Sequence, residues 1–476
     1  MTTDEYRAFV AGKHVVVADA GVDVRVADLP PKLFEWQRNV VAWALRKGRA
    51  ALFLDTGLGK SGCALAWAAA VAKHTGRPVL ILTPLAVGPQ FVSEAGKFGV
   101  GGVELWKEGT TANIQIVNYH KLHLIDTTVY GGVVIDESSI LKSFMGKVKR
   151  QLCEAFAGCQ FRLACTATPA PNDHMELGNH SAFLGVMDAD EMLTRWFIND
   201  LSQAGVYRLK KHAEEDYWRW VASWACCVSK PSDIGGDDTG YDLPPLTITH
   251  HTVAEVIETG DGKLFDAALL TATGLHRQKR KTAGVRAEKV AELVAAEPSE
   301  SWIVWCDTDY EAEELMAVLP AGTVEVAGRM TDKKKEDGLV GFTTGKYRVI
   351  ATKPGLAGYG LNWQHCARVA FIGLSFSWEQ FYQAVRRAWR FGQSRPVVVH
   401  VVTGESEHQV IATNRRKQAE NDRMRVAMTA AASRHWEGVT GGRVLGVDCG
   451  DGAMRQPTWL LTRVDDEYTE ATTCKA

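Results

Sequence analysis

The sequence lacks cysteines spaced as the ligands of a metal site. Its 476 residues include ten cysteines, but none form a C-x-x-C pair and none lie near histidine at the spacing of a zinc site. Cys226 and Cys227 are adjacent, and Cys165 and Cys306 lie within apolar runs. The pattern argues against a zinc-finger protein and a disulfide-rich secreted domain, and it predicts reduced thiols in a cytosolic protein.

Long apolar runs and an excess of one charge are also missing. No stretch approaches about 18 uninterrupted apolar residues, and the opening MTTDEYRAFVAGKH lacks a basic leader followed by an apolar core. We therefore expect no membrane span and no signal peptide.

Lysine and arginine (54) nearly balance aspartate and glutamate (56), which gives a net charge of −2. That balance excludes a uniformly basic nucleic-acid coat protein but allows local basic stripes.

A phosphate-binding loop is the clearest feature that is present. An apolar run over 50–54 leads directly into residues 55–61, DTGLGKS. A buried strand that ends in such a segment and continues as a helix lets backbone N–H groups converge on phosphate oxygens. Lys60 is expected to reach the β- and γ-phosphates, and the Ser61 hydroxyl to bind Mg²⁺. The strict pattern has glycine at the position of Leu54, a departure more typical of helicase-type ATPases than of small-molecule kinases.

Two neighbouring carboxylates, Asp136 and Glu137, end a second apolar strand predicted over 133–136. Mg²⁺ keeps most of its waters and takes one or two carboxylates beside the phosphates of a nucleotide. Asp136 therefore fits the metal side of a site shared with Ser61, and Glu137 is expected to polarise the attacking water. An Asp-Glu pair at a strand end is common by chance, but it becomes significant when it follows a phosphate loop.

Apolar runs alternate with alanine-rich segments and divide the chain into two similar halves. Interpreted as buried parallel strands, the runs predict two doubly wound α/β domains. Because only the first half has a phosphate loop, we expect the nucleotide in the cleft between the domains. The strands are predicted over 50–54, 79–83, 114–119, 133–136 and 162–166 in the first half, and over 302–307, 323–327, 347–352, 368–372 and 397–402 in the second.

Three segments differ from this alternation. Residues 179–224 are rich in aromatics, and the helical spacing of Tyr217, Trp220 and Trp224 predicts a small helical core, with base stacking as the alternative. Residues 229–245 are rich in Gly, Asp and Pro and predict the interdomain connection. The region after about residue 426 has no interpretable motif, so that docking on the second lobe and binding of a partner both stay open. The predicted order is an N-terminal extension (1–30), a first domain (31–178), an aromatic-rich helical insertion (179–228), a linker with the start of the second lobe (229–285), a second domain (286–415) and a C-terminal helix and tail (416–476).

Taken in order, the motifs resemble those of superfamily 2 helicase-type motors, in particular the sucrose-nonfermenting (Snf-type) branch of DNA translocases in the compact form often encoded by bacteriophages. The resemblance spans roughly residues 30–415 and is clearest at residues 383–393, QAVRRAWRFGQ, beside the family pattern Q-A-x-x-R-x-x-R-x-G-Q. It implies two tandem RecA-like P-loop domains and an ATP hydrolase that uses Mg²⁺. It also implies that Arg387 and Arg390 are arginine fingers. The two residues are three positions apart, so that on a helix they lie on one face. Arg386 is expected to lie on the opposite face, in solvent.

The same resemblance completes the predicted site. Residues 33–43 resemble the family's upstream glutamine motif, so that Gln37 is expected to read an adenine edge. Residues 352–362 resemble its fifth motif, although their glycine spacing is looser. The predicted catalytic residues are Lys60, Asp136, Glu137, Arg387 and Arg390; the predicted ATP-binding residues are Gln37, Thr56, Gly57, Leu58, Gly59, Lys60, Ser61, Gly360 and Gln383; the predicted Mg²⁺ ligands are Ser61 and Asp136.

One motif departs from the family pattern. Residues 136–139 are Asp-Glu-Ser-Ser, where the family has Asp-Glu-Ala-His. The metal and base roles survive, but the usual contact that couples hydrolysis to the next motif through the fourth residue does not. Residues 165–169, Cys-Thr-Ala-Thr-Pro, resemble the family's third motif, and their small hydroxyl side chains are expected to take over part of that coupling.

Nucleic acid is expected to bind through its backbone, by shape and charge, because no zinc finger or helix-turn-helix is recognisable in the sequence. Runs of basic residues more often form solvated faces, so that each of the candidates is an expectation only. The candidate contacts are residues 83–85 and 117–120 at strand ends, then Lys142, Lys147, Lys149 and Arg150, and near the interdomain region Arg277, Lys279, Arg280, Lys281, Arg286 and Lys289.

The expected function is an ATP-dependent DNA helicase or translocase in replication, recombination or repair. We expect a monomer without a membrane partner, in the cytoplasm, which is the host's if the gene belongs to a phage. RNA as the substrate, a motor subunit of a restriction or nuclease system, and a nucleotide-gated binding module without turnover are the alternatives. The intact catalytic set argues against the last of these, and no nuclease carboxylate–lysine cluster stands out.

Overall fold

The computed structural model describes residues 17–84, 87–142, 146–199, 207–254, 272–357 and 361–440. Two β-sheets, each with only parallel pairs among the described strands, form the centres of two lobes that follow one another along the chain. A hydrophobic cluster lies on each face of each sheet. The predicted fold, two tandem RecA-like α/β domains, is confirmed.

In the described residues, the first lobe is built on a seven-stranded sheet and a separate antiparallel hairpin. The strands are β1 (Arg49–Leu54), β2 (Val79–Thr83), β3 (Val103–Leu105), β4 (Ile114–Asn118), β5 (Gly132–Asp136), β6 (Phe161–Cys165), β7 (Phe197–Asn199), β8 (Tyr207–Leu209) and β9 (Ala225–Val228). β7 and β8 form the hairpin, and the others lie in the order β3-β4-β2-β5-β6-β1-β9. Because β6 lies between β1 and β5, the loops that follow these three strands meet at one edge of the sheet.

Helices flank this sheet, and the side chains of β1 show why. Leu52 and Leu54 lie in the cluster on one face, whereas Phe53 lies in the cluster on the other, as expected of a strand buried on both sides. The helices are α1 (Glu35–Lys47), α2 (Lys60–Thr75), α3 (Gly88–Phe98), α4 (Lys147–Ala155), α5 (Glu176–Leu184), α6 (Ala189–Trp196) and α7 (Glu214–Ala222), with 3₁₀ turns at Val26–Asp28, Tyr119–Leu124, Thr127–Val129, Ser138–Lys142, Lys211–Ala213 and Pro231–Ile234.

The second lobe repeats this design with six described strands, in the order β10-β15-β14-β11-β13-β12. These are β10 (Leu246–Val253), β11 (Trp302–Trp305), β12 (Val324–Val326), β13 (Val349–Thr352), β14 (Arg368–Phe371) and β15 (Val397–Gly404). The helices are α8 (Ala272–Lys281), α9 (Ala283–Ala296), α10 (Asp309–Val318), α11 (Asp332–Thr343), α12 (Pro354–Ala357), α13 (Trp378–Val385) and α14 (His408–Thr440), with a 3₁₀ turn at Glu405–Glu407.

The aromatic-rich segment is part of the first-lobe core. Tyr217, Trp220 and Trp224 are almost fully buried, at 0%, 2% and 0% exposure. Trp196 stacks on Trp220 with the ring centroids 4.6 Å apart, and Trp224 contacts Phe53 of β1 edge to face. The three rings are therefore core residues, but they belong to the core of the first lobe rather than to a separate small helical core, and they are not available for base stacking.

The helix α14 joins the two lobes. It begins in the second lobe, where Val410 lies in the core, and its later part packs on the first lobe through Met424 and Met428. Near its end, Trp436 contacts Trp43 of α1. The described part of the segment after residue 426, up to residue 440, thus packs on the first lobe rather than the second, and the rest of it lies outside the described residues. In the described ranges, no helix is long and apolar enough to span a membrane.

Candidate nucleotide site between the lobes

The phosphate loop lies at the carboxyl end of β1, and α2 begins directly after it at Lys60. Gly57 and Gly59 have φ angles of +94° and +77°, which side chains other than glycine rarely adopt. A Cβ on Gly57 would also lie 3.0 Å from the backbone nitrogen of Phe391 in the second lobe. The sharply turned loop and the close approach of the second lobe therefore both depend on glycine here.

Lys60 is folded against its own loop. Its Nζ donates to the carbonyl oxygens of Leu54 at 2.9 Å and Asp55 at 3.2 Å. Burial lowers the pKa of Lys60, and the nearby carboxylates of Glu137, Asp55 and Asp136 oppose that shift. Neutral carbonyls are weaker acceptors than charged phosphate oxygens, so a triphosphate would compete effectively for this ammonium.

The two predicted carboxylates stand at the end of β5. The Asp136 carboxylate accepts a hydrogen bond from the Thr83 hydroxyl at 3.3 Å. Glu137 has φ of +58°, the only non-glycine residue in the described ranges with positive φ, and such strain concentrates at functional sites. Its Oε1 accepts from the Thr166 hydroxyl at 2.6 Å and the Ser139 hydroxyl at 3.2 Å. The side chain is therefore fixed by hydroxyl groups from two loops.

Burial, followed by the neighbouring charge of Glu137, raises the pKa of Asp136 to about 7. Burial also raises the pKa of Glu137, against the opposing effects of the Thr166 hydrogen bond and Lys60. Two carboxylates this poorly compensated fit a divalent cation, since oxygen ligands and negative charge are what Mg²⁺ prefers. Asp136 and the Ser61 hydroxyl are the residues that would hold it beside the phosphates.

The arginines of the second lobe converge on one backbone atom. Nη1 of Arg387 and Nη1 of Arg390 both donate to the Leu361 carbonyl, at 2.9 Å and 3.0 Å. Arg387 also donates to the backbone and side-chain oxygens of Gln383, at 3.0 Å and 3.1 Å. Burial, followed by the charge of Arg386, lowers the pKa of Arg390 to about 10. Both guanidinium groups are thus positioned within the protein.

The prediction that Arg387 and Arg390 lie on one face of a helix is wrong. α13 ends at Val385, so Arg387 and Arg390 lie in the turns that follow it rather than on one helix face. Arg386, predicted to be solvated, is 5% exposed, donates to the Thr56 carbonyl at 2.7 Å and pairs with Asp55 at 3.3 Å. The chain leaves the helix here, and contacts to the first lobe replace helical spacing in deciding where each side chain points.

A cleft of about 240 Å³ between the lobes brings most of the predicted site together. It is open to solvent, and it has residues of both lobes in its walls. The predicted residues that line it are Thr56, Gly57, Gly59, Lys60, Ser61, Asp136, Glu137, Gln383, Arg387 and Arg390.

Two predicted nucleotide-binding residues, Gln37 and Leu58, lie outside the cleft wall, and a third lies outside the described residues. Gln37 is 3% exposed and lies behind the loop, where its Nε2 donates to the Leu58 carbonyl at 3.0 Å and its Oε1 accepts from the Phe34 N–H at 3.0 Å. Leu58 has its side chain in the first-lobe core. Gly360 lies outside the described residues. In this structure Gln37 supports the loop, and adenine recognition by it stays a prediction.

Part of the cleft wall was absent from the sequence prediction. It consists of α3 residues, among them Gln90, Glu94 and Lys97. Gln90 donates to Glu94 at 2.7 Å, and the negative charge of Glu94 opposes the lowering of the pKa of Arg390. The available signal was positional: α3 follows β2, whose carboxyl end lies at the same sheet edge as the phosphate loop.

A chain of hydrogen bonds connects Glu137 to Arg387 across the cleft. Glu137 accepts from Thr166, whose Oγ1 also accepts from the Thr168 N–H at 3.1 Å. The Thr168 hydroxyl accepts from Nε2 of Gln383 at 3.4 Å, and Gln383 Oε1 accepts from Arg387 at 3.1 Å. These contacts support the expectation that hydroxyl residues of the third motif take over part of the coupling between hydrolysis and that motif.

Replacing Thr168 by valine is expected to lower kcat for ATP hydrolysis about tenfold, with little change in ATP binding. The substitution preserves shape but removes the acceptor for Gln383 and the donor to Glu379, and bonds that involve charged groups are worth about 1.5–3 kcal/mol. Steady-state hydrolysis measures the effect, with Thr194→Val on the exposed face of α6 as the control. A wild-type kcat for Thr168→Val would show that this chain of contacts has no part in turnover.

Several residues predicted to contact nucleic acid instead form ion pairs or hydrogen bonds within the protein. Lys142 pairs with Glu379 of the second lobe at 2.7 Å, and Lys149 donates to Asn179 at 3.0 Å. Lys279 and Arg286 are 6% and 0% exposed, in an ionic cluster with Glu311, Glu407 and Asp307. Lys279 and Arg286 are therefore structural residues of the second lobe. The candidates that stay on the surface are Lys147, Arg150, Arg277, Arg280 and Lys281.

The fold and the cleft define a P-loop protein with two parallel-sheet lobes. Residues 285–392, which contain most of the second lobe, match the family described as the helicase conserved C-terminal domain. The predicted resemblance to helicase-type motors is therefore confirmed for this lobe. A search of the curated proteins gave no match. Among solved structures, the Sulfolobus solfataricus SWI2/SNF2 ATPase core in complex with dsDNA is similar, at 17% identity and a TM-score of 0.41, over 88% of this chain and 98% of that one.

Proposed function

We propose that this protein is a helicase-type ATP hydrolase that couples hydrolysis in the interlobe cleft to movement along DNA, in the manner of Snf-type translocases. The observation that carries the proposal is the division of the cleft between the lobes. The first lobe supplies Lys60, Asp136 and Glu137, and the second supplies Arg387 and Arg390. Chemistry that needs groups from both lobes must depend on how the lobes are placed.

Each group has a role that follows from its position. The loop and Lys60 bind the phosphates, and Mg²⁺, when held by Ser61 and Asp136, would offset their negative charge. Glu137, held by Thr166, orients a water for attack on the γ-phosphorus and accepts its proton. Arg387 and Arg390 donate to the phosphoryl oxygens as negative charge develops on them.

Release of the cleaved phosphate removes the group that both lobes contact, so that the lobes separate again. If each lobe holds the nucleic-acid backbone, this cycle moves the protein along the strand. The exposed basic residues Lys147 and Arg150 on the first lobe and Arg277, Arg280 and Lys281 on the second support a backbone contact on each. We propose DNA as the substrate, in replication, recombination or repair, from the resemblance of the motifs to the Snf-type branch.

The first test is ATP hydrolysis without nucleic acid and with single-stranded DNA, duplex DNA and RNA in turn. We expect duplex DNA to stimulate hydrolysis most, because Snf-type motors track a duplex. Lys60→Ala is the blank, since it removes the cation that the loop offers to the phosphates.

The other outcomes separate the alternatives. Selective stimulation by RNA would move the assignment to an RNA helicase, and binding of ATP without turnover would favour a nucleotide-gated module. Hydrolysis that is indifferent to every nucleic acid would refute the motor and leave a P-loop ATPase of another class.

A further inference from the structure

The first residue of the phosphate loop, Asp55, is the centre of a buried ionic cluster that the proposed chemistry does not use. Its side chain is 12% exposed and accepts hydrogen bonds from the Tyr382 hydroxyl and from Nη1 of Arg425, the latter at 2.9 Å. Arg386 pairs with it at 3.3 Å. One carboxylate thus meets a phenol and a guanidinium group from α13 and its C-terminal end, and a second guanidinium group from α14.

The cluster also contacts the loop backbone. Oδ1 of Asp55 accepts from the Thr56 N–H at 2.6 Å, and Nη2 of Arg386 donates to the Thr56 carbonyl at 2.7 Å. Burial by itself raises the pKa of Asp55, but Arg386, Arg425 and the hydrogen bonds outweigh it and hold the pKa well below its usual range. The carboxylate is therefore charged, and its orientation is tied to the start of the loop.

The two arginines, Arg386 and Arg425, are attached to different lobes. Tyr382 and Arg386 lie at α13, in the second lobe. Arg425 lies on α14, but at a point where α14 is fastened to the first lobe. Met424 and Met428 on either side of it are each 3% exposed in the first-lobe core, and the Ser433 hydroxyl donates to the Asp233 carbonyl at 2.6 Å.

This arrangement predicts what happens when the lobes part. Arg425 stays beside Asp55 because its helix segment is packed on the same lobe, whereas Tyr382 and Arg386 leave with the second. Nη2 of Arg425 also donates to the Tyr382 hydroxyl at 3.2 Å, and its guanidinium lies 5.4 Å from the Tyr382 ring centroid. The pair Asp55–Arg425 therefore presents a surface that fits the incoming tyrosine.

We propose that Arg425 is a positioning residue for lobe closure: it holds the Asp55 carboxylate on the first lobe as a preformed seat for Tyr382 and Arg386 of the second. The inference rests on the proposed ATP-driven closure and gives the C-terminal helix a part in it. Without Arg425, the Thr56 N–H still holds one oxygen of the Asp55 carboxylate when the lobes are apart, but the other oxygen loses its partner. Each closure must then order the carboxylate more fully, which disfavours the closed state.

The test compares wild type, Arg425→Gln, Arg425→Lys and the control Arg423→Gln. Arg423 lies two residues away on α14 and is exposed, and its Nε donates to the Ala419 carbonyl of the same helix at 3.2 Å. We expect kcat to fall about 10- to 100-fold in Arg425→Gln, as for loss of a charged hydrogen bond that positions a loop. Arg425→Lys should recover part of it, and the KM for ATP should change less than threefold, on the order of one weak contact.

Hydrogen–deuterium exchange supplies a second measurement that does not depend on hydrolysis. With a non-hydrolysable ATP analogue, wild type and Arg423→Gln should gain protection in peptides covering the phosphate loop and Trp378–Val385, and Arg425→Gln should gain much less. Adding Tyr382→Phe to Arg425→Gln should produce little further loss of either readout, because both substitutions remove the same seat.

The outcomes separate this inference from the proposed function. If wild type fails to hydrolyse ATP, the proposed function is wrong, but the exchange data still decide whether Arg425 supports closure. Wild-type kcat and protection in Arg425→Gln would overturn the inference alone. Equal losses of ATP binding and thermal stability in Arg425→Gln and Arg425→Lys, with no selective change in kcat or protection, would show a structural prop instead.

Discussion

Arg387→Ala is expected to slow ATP hydrolysis at saturating ATP by about 10³-fold or more, the range measured for arginines that contact a transferred phosphoryl group. The guanidinium is 4% exposed and donates to Leu361 and Gln383, so that it is oriented before ATP binds. Its charge therefore acts on the transition state without a cost of reorganisation. ATP binding should weaken far less, because Lys60 and the loop remain intact.

The experiment needs variants that separate charge from geometry. Arg387→Lys keeps the charge but loses the planar fork, so that it should recover little of the rate. Arg395→Ala is the matched control, since Arg395 lies beyond the cleft and pairs with Glu300 near the surface. Single-turnover hydrolysis and equilibrium ATP binding should be measured for each, together with the melting temperature. Hydrolysis by Arg387→Ala within a few-fold of the control, on the order of one ordinary hydrogen bond, would rule out the finger role.

Nine of the ten strands that the sequence predicts lie inside a sheet, and the tenth, β12, lies at an edge. Each of the ten predicted strands is present, with ends that differ by at most two residues. Five described strands were missed: β3, β9 and β10 lie at sheet edges, and β7 and β8 form the separate hairpin. β3 has three residues, β9 has four, and β10 alternates apolar with Thr and His because much of it faces solvent. Such segments carry little hydrophobic signal, and pairing with a neighbour makes them strands.

In the candidate site, too, some features could be predicted from the sequence and others could not. The phosphate loop and the carboxylates of Asp136 and Glu137 are local motifs, where a few consecutive residues carry the chemistry. By contrast, the contacts of Asp55 with Arg386 and Arg425 join residues more than 300 positions apart. Nothing in the neighbouring sequence marks such pairs, since they depend on how two lobes and α14 pack together.

For Lys279 and Arg286, the sequence predicted an exposed nucleic-acid contact where the structure has buried ion pairs. The sequence places them in a basic run, which by itself indicates an exposed face. In the structure, Arg286 is paired at 2.9 Å with Glu311, which lies 25 residues further along the chain. A buried cation requires a carboxylate partner, and that partner is distant in sequence. Charge counting within a window therefore overestimated the exposed basic surface.

Glu137→Gln is expected to lower kcat by about 10²–10⁴-fold, the usual contribution of a general base. The amide has nearly the same shape, and its oxygen still accepts the hydrogen bond that Thr166 donates to Glu137 at 2.6 Å. It cannot accept a proton from water. Burial raises the pKa of Glu137 toward the working pH, which improves its ability to hold that proton, and glutamine loses this property without disturbing the loop.

Glu94 is the other cleft carboxylate near the arginines, so that Glu94→Gln is the informative comparison. Pre-steady-state hydrolysis with equilibrium ATP binding would distinguish a chemical defect from a binding defect in both variants. For Glu137→Gln, we expect ATP to bind normally and to persist uncleaved in the closed cleft. If Glu94→Gln blocked cleavage and Glu137→Gln did not, the base would lie on α3, and the strained backbone at Glu137 would serve to place Ser139 and Thr166 instead of the attacking water.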